Sequence, residues 1–216
     1  MKKYKLVIFD WDGTLMDSVG RIVSSMRSAA EQANLNIPSE DAVKNIIGLS
    51  LPEATNILFP LCTEQEAMQL LVFYKDHYVS RDSTPSPLFS HALLLLQQLK
   101  DNHQLLAVAT GKGRNGLERV MAETDTKSYF TASKCADESE SKPSPDMVLQ
   151  LLEQLNINRQ EAVMIGDTVH DMSMARNAGI DRIGVTMGVH DREALSEFQP
   201  VAIVDSLFEL APILLK

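Results

Sequence analysis

The sequence predicts an α/β protein built on a doubly wound parallel sheet, with a second, all-helical unit inserted near its start. Three observations carry this expectation. Short apolar runs recur at residues 5–9, 105–109, 162–165 and 183–186, with a weaker one at 201–204. Helical patterns fill the intervals between the later runs, and alternation of this kind builds a parallel sheet covered on both faces. Residues 15–83 break the alternation and read as helix throughout.

In chain order, KLVIF (5–9) is continuously apolar and ends in an acidic, Gly-containing turn, as a buried strand does. Helices are expected at 16–33, 40–47, 52–58 and 63–79, broken at Pro38, at Gly48 to Pro52 and at Pro60. Ser83-Thr84-Pro85-Ser86-Pro87 then forms a stiff linker. Beyond it, helices are expected at 90–101, 114–123, 144–155, 169–178 and 206–214. The expected boundaries are therefore a core of 1–15 and 84–216 and a helical unit of 16–83.

Composition narrows the function. With 216 residues, 44% of them hydrophobic and 23% charged, the chain reads as an ordinary globular protein with room for one large core and an accessory unit. A formal net charge of −9 argues against nucleic acid or an anionic membrane as partner, and the longest aliphatic run, Leu93 to Leu96, is far too short to cross a bilayer. The opening MKKYKLVIFD meets Asp10 before any cleavage pattern, so it is not read as a leader, and the expected location is cytoplasmic. Cys62 and Cys135 are far apart and fit reduced thiols in such a compartment.

The polar groups DWDGT, TGK and GDTVHD fall at the carboxyl ends of expected strands, where doubly wound sheets bind ligands. Asp10 and Asp12 are two residues apart at a strand end, so both carboxylates face one way and Trp11 the other. Acidic residues and Gly are also common at any strand end, so this motif alone decides little.

Together, four motifs resemble those of the haloacid dehalogenase superfamily, in its order and over essentially the whole chain. FDWDGTLMDS is similar to the first, VATGK with Thr110 to the second, KPSP with Lys142 to the third, and GDTVHDMSMARNAG with Asp167 and Asp171 to the fourth. The tail from Gly184 resembles phosphoglycolate phosphatases, and the helical insert resembles that family's small cap. The resemblance implies a phosphoric monoester hydrolase acting on a small phosphate ester, as a monomer or homodimer. Asp10 would be the nucleophile that forms an aspartyl-phosphate and Asp12 the general acid and base. Thr110, the Gly111 amide and Lys142 would hold the phosphoryl group. Mg²⁺ would be held by Asp10, Asp12 (through its carbonyl), Asp167 and Asp171; Asp171 either coordinates or orders its loop.

Several neighbouring residues are set aside. Lys112 is expected as a solvated side chain beside the site, His170 is left out of the metal set because Mg²⁺ prefers oxygen, and Glu138 and Glu140 read as a solvated loop. The candidate recognition loop of the insert, NIIGLSLPEA around Gly48, is mostly apolar with Lys44 as its nearest cation. Relatives in the resembled family that grip a second phosphate often carry an Arg here, so the resemblance implies a substrate other than a sugar bisphosphate. An intact Asp12 favours phosphate esters over halides or phosphonates. A phosphomutase or pyrophosphatase of the superfamily remains the alternative, with a phospho-accepting regulatory protein behind them.

Overall fold

The computed structural model describes residues 4–215, so residues 1–3 and 216 of the expected core lie outside it. Six parallel strands form one sheet in the order β3-β2-β1-β4-β5-β6. They are β1 (Leu6–Phe9), β2 (Leu105–Thr110), β3 (Ala132–Cys135), β4 (Ala162–Gly166), β5 (Asp181–Val185) and β6 (Ala202–Val204). The order reverses at β1, whose neighbours are β2 and β4, and this is where a doubly wound sheet opens its ligand crevice.

Strand β1 shows why its sequence is apolar without interruption. Val7 and Phe9 enter one hydrophobic cluster with α5 (Ala92–Asp101) and the C-terminal helix α10 (Ala211–Leu214). Leu6 and Ile8 enter a second, opposite cluster with α7 (Asp146–Leu155) and α8 (Val169–Ala178). Both faces are dry, so alternation with polar residues would bury unsatisfied groups. The remaining core helices are α6 (Arg114–Glu123) and the short α9 (Arg192–Ser196).

The insert comprises α1 (Val19–Gln32), α2 (Glu40–Asn45), α3 (Leu51–Leu58) and α4 (Glu64–Asp76). Ser39, Ser50 and Thr63 cap α2, α3 and α4 by accepting backbone N–H groups, and Thr63 with Glu66 completes a capping box. These helices gather a third hydrophobic cluster from Ile22, Met26, Val43, Leu70, Tyr74 and their neighbours, separate from the two around the sheet.

Four expectations need correction. Strand β3 was not expected, because ASKC pairs only with β2 at the sheet edge and carries Ser and Lys at its centre. Helix α9 was not expected either, being only five residues long. The helix expected over 63–79 stops at Asp76 and widens into a π-helical turn, His77–Arg81. The last expected helix opens as a 3₁₀ turn, Leu207–Leu210, before α10. Both cysteines are free, but Cys62 is only partly buried, whereas burial pushes the Cys135 thiol up to about 12.

Candidate active site

Asp10 follows β1 directly, and its backbone N–H still donates to the Ile165 carbonyl (2.9 Å), so the residue is fixed by the sheet. Trp11 turns the other way into the core, where its Nε1–H reaches Met16 Sδ at 3.4 Å, and the carboxylates of Asp10 and Asp12 keep the opposite side. Gly13 then needs a φ of +80°, and a Cβ there would collide with the Asp167 carboxylate. Only glycine allows the β1 turn and the β4 turn to approach this closely.

Asp167 closes β4 and is held from two directions. Thr14 donates its hydroxyl to Oδ1 (2.7 Å) and the Val189 amide donates to Oδ2 (2.9 Å). Asp171 sits one turn into α8, where Thr168 Oγ1 donates to its Oδ2 (2.6 Å) and accepts from its amide (3.1 Å), a reciprocal capping box. Its other oxygen accepts from Lys142 Nζ at 2.7 Å. Asp171 thus orders its loop and braces Lys142, and its carboxylate also belongs to the buried acidic cluster with Asp10 and Asp167.

Lys142 is fully buried, with Nζ 2.9 Å from Asp10 Oδ1 and 2.7 Å from Asp171 Oδ1. Burial opposes its charge, but the two carboxylates hold its pKa above the ordinary lysine value. The opposite happens to the acids. Burial, helped by Asp171 and Asp12 and resisted by Lys142, raises Asp10 to about 7, and burial with Asp171 and Asp10 raises Asp167 well above the carboxylate range.

These raised values test the fit of a cation. Asp10, Asp167 and Asp171 bring carboxylate oxygens within 4.8 Å of one another, all buried. Beyond the Lys142 ion pair, neither Asp10 oxygen accepts a hydrogen bond. A buried carboxylate oxygen without a donor, in a cluster whose burial and mutual repulsion raise its proton affinity, is what a hard divalent cation relieves. The residues fit such an ion. The Asp12 carboxylate lies outside this group, accepting from Ser18 Oγ (2.6 Å) and pairing with Lys112 Nζ (3.0 Å), so only its carbonyl remains from the expected metal set.

Thr110 ends β2 beside β1 and is buried, with its Oγ1 accepting the Lys112 amide at 3.2 Å. A Cβ on the adjacent Gly111 would collide with the Gly48 carbonyl, so the insert loop lies directly on the second motif. Further contacts fasten the two units here. The Ser50 amide donates to Ser141 Oγ (2.9 Å), and His170 Nε2 lies 3.1 Å from the Asn45 carbonyl. Lys44 is partly exposed and paired with Asp41.

The structure brings Asp10, Lys142, Asp167 and Asp171, all named from the sequence, together in one cluster. Sequence reasoning missed Thr14, Ser18 and Thr168, whose hydroxyls orient the aspartates; their place in the first and fourth motifs was the available signal. It misplaced Lys112, whose side chain is only 11% exposed and ion-paired rather than solvated.

The family model for haloacid dehalogenase-like hydrolases matches residues 7–185. The chain belongs to that family. It is 34% identical over 213 residues to the probable phosphatase IndB of Dickeya dadantii, covering 95% of this chain and 91% of that one. A phosphoglycolate phosphatase of Vibrio parahaemolyticus is 28% identical over 215 residues, covering 95% and 94%. Among solved structures, a predicted phosphatase from Clostridium acetobutylicum superposes with a TM-score of 0.86 at 27% identity, covering 98% of each chain. This haloacid dehalogenase-like hydrolase is thus an enzyme of the phosphatase class, and no described helix is long and apolar enough to cross a membrane.

Proposed function

We propose that the protein is a Mg²⁺-dependent phosphatase that hydrolyses a small, phosphoglycolate-like phosphate monoester through an aspartyl-phosphate on Asp10. The observation that carries this reading is the contrast between two neighbouring carboxylates. Asp10 is buried, with Oδ1 held by the Lys142 ammonium and Oδ2 without a partner, while Asp12 is engaged by Ser18 and Lys112. Paired acids in different surroundings divide nucleophilic from acid–base work.

In this reading an Asp10 oxygen attacks phosphorus and Asp12 protonates the departing alkoxide. Asp12 then removes a proton from the water that cleaves the phosphoenzyme. Lys142 neutralises charge between Asp10 and the phosphoryl oxygens, and Thr110 and the Gly111 amide donate to those oxygens. Asp10 and Asp167, with the Asp12 carbonyl and Asp171 behind them, would hold Mg²⁺, which suits an oxygen-only donor set. When bound, the ion supplies the positive charge that lets a phosphate dianion enter beside buried carboxylates. Residues 16–83 serve as a cap over the core of 1–15 and 84–216, closing on Gly111 to exclude water.

The test is release of inorganic phosphate from a panel of small monoesters. Turnover should require Mg²⁺, vanish with EDTA, and be lost in Asp10→Asn with the fold unchanged by circular dichroism. Turnover within tenfold of wild type in Asp10→Asn would overturn the assignment of the nucleophile.

A further inference from the structure

A cation with a partly spare valence stands on the leaving-group side of the site. Lys112 Nζ lies 3.0 Å from Asp12 Oδ2 and 4.8 Å from the centre of the Tyr78 ring, so the insert and the core meet across it. Tyr78 belongs to the π-helical turn at the end of α4, and such turns often reposition side chains for function. Its ring has two more cations about it, with the guanidinium carbons of Arg21 at 5.9 Å and Arg119 at 5.7 Å.

Two of these three cations carry carboxylate partners of their own. Arg119 is paired with Glu123, and Lys112 with Asp12. Arg21 donates to the Thr84 carbonyl and has no carboxylate partner among the described residues. The Tyr78 hydroxyl is buried on the same side of the site, the residue being 5% exposed, and it faces the Lys112 ammonium, itself a donor, with no acceptor for its own proton among the described residues. A buried donor without an acceptor is costly unless a ligand supplies the acceptor.

Anchoring Asp12 does not by itself account for this arrangement. Ser18 already fixes Asp12 Oδ1 at 2.6 Å, and an anchor for Asp12 needs neither a tyrosine hydroxyl without an acceptor nor further arginines. Because Asp12 must touch the leaving oxygen, a substituent on that oxygen extends next to Lys112. We propose that Lys112 is the specificity-determining residue: its ammonium, with the Tyr78 hydroxyl, binds a carboxylate or similar anion on the leaving group. As that anion docks, Lys112 shares its hydrogen bonds between it and Asp12. The inference rests on the phosphatase reading above and narrows its substrates to monoesters of small anionic alcohols.

The test compares two probes, 2-phosphoglycolate with an anionic leaving group and ethyl phosphate with a neutral one. Wild type should favour 2-phosphoglycolate in kcat/KM. In Lys112→Met that preference should shrink roughly 10- to 100-fold, the loss of one charge-assisted hydrogen bond, chiefly through KM. Lys112→Arg should restore most of it. Taking the ratio of the two substrates cancels any effect that reaches catalysis through Asp12. Tyr78→Phe, a smaller change that keeps the ring, should lower the same ratio roughly 3- to 10-fold. Equal losses on both substrates would overturn the proposal and leave Lys112 as a positioning residue for Asp12. A wild type without preference between the probes would overturn it as well, with the phosphatase reading intact. No phosphate from either probe would remove both.

Discussion

Asp10 and Asp12 carry the same functional group in different surroundings, and the proposed mechanism gives them different chemistry. Asp12 is held between a hydroxyl and an ammonium. If it protonates the leaving oxygen, Asp12→Asn should discriminate between leaving groups. Nitrophenolate is a weak base and departs without a proton, whereas an alkyl alkoxide does not. Phosphoenzyme formation should therefore slow far more for alkyl than for aryl phosphates, by a factor within the ~10²–10⁴ range of general acid catalysis. The aryl ester should also give a burst, because hydrolysis of the intermediate has lost its base. Rapid-quench kinetics on both ester types measures this, and equal slowing without accumulating phosphoenzyme would reduce Asp12 to a structural residue. The spacing of the two aspartates was legible from the sequence because a strand imposes a period of two. Lys112 was not: a lysine beside a loop glycine reads as solvated until the Tyr78 ring, carried by a distant helix, is seen to cover it.

At the scale of elements, α8 links helix capping to catalysis. Thr168 caps the helix through Asp171, and the free oxygen of Asp171 braces Lys142 against Asp10. Thr168→Val keeps the shape and removes the hydroxyl. It should cost about 1 kcal/mol, typical of a lost N-cap, seen as a lower urea midpoint at unchanged m-value. Phosphate turnover should fall with it, since Lys142 loses a fixed partner; full activity at reduced stability would separate the cap from the chemistry. The fourth motif made α8 readable, and the helix ends at Gly179, which takes a φ of +72°. Strand β3 escaped because an edge strand paired on one side can afford Ser133 and Lys134 at its centre. The π-helical turn after α4 escaped because its cause is tertiary: Tyr74 and Tyr78, with ring centroids 5.8 Å apart, pack into the insert core and toward Asp12 together.

For the whole molecule, the site is a store of unfavourable charge that a bound cation and the pH should both modulate. The doubly wound sheet brings three strand ends to one crevice, so carboxylates distant in sequence are buried together. Asp10 titrates near 7 in the fold and near 3.9 in an unfolded chain. Its contribution to stability is thus fully present below about pH 4 and is lost as the pH rises through about 7, where the fold must hold it ionised and buried. Mg²⁺ competes with that proton, so its binding should add more stability where the proton is already gone. The increase in Tm on adding saturating Mg²⁺ should accordingly be small near pH 5.5 and grow steadily to about pH 8. Surface acids with lowered pKa values, such as Glu138 and Asp205, also change stability with pH. They cancel when Tm is compared with and without the ion at each pH. Asp10→Asn removes one competing proton and leaves that of Asp167, so its smaller Mg²⁺ response should depend less on pH. Scanning calorimetry across this range decides the matter, and a wild-type Mg²⁺ increment that stays constant from pH 5.5 to 8 would rule out Asp10 as the group whose proton the cation displaces.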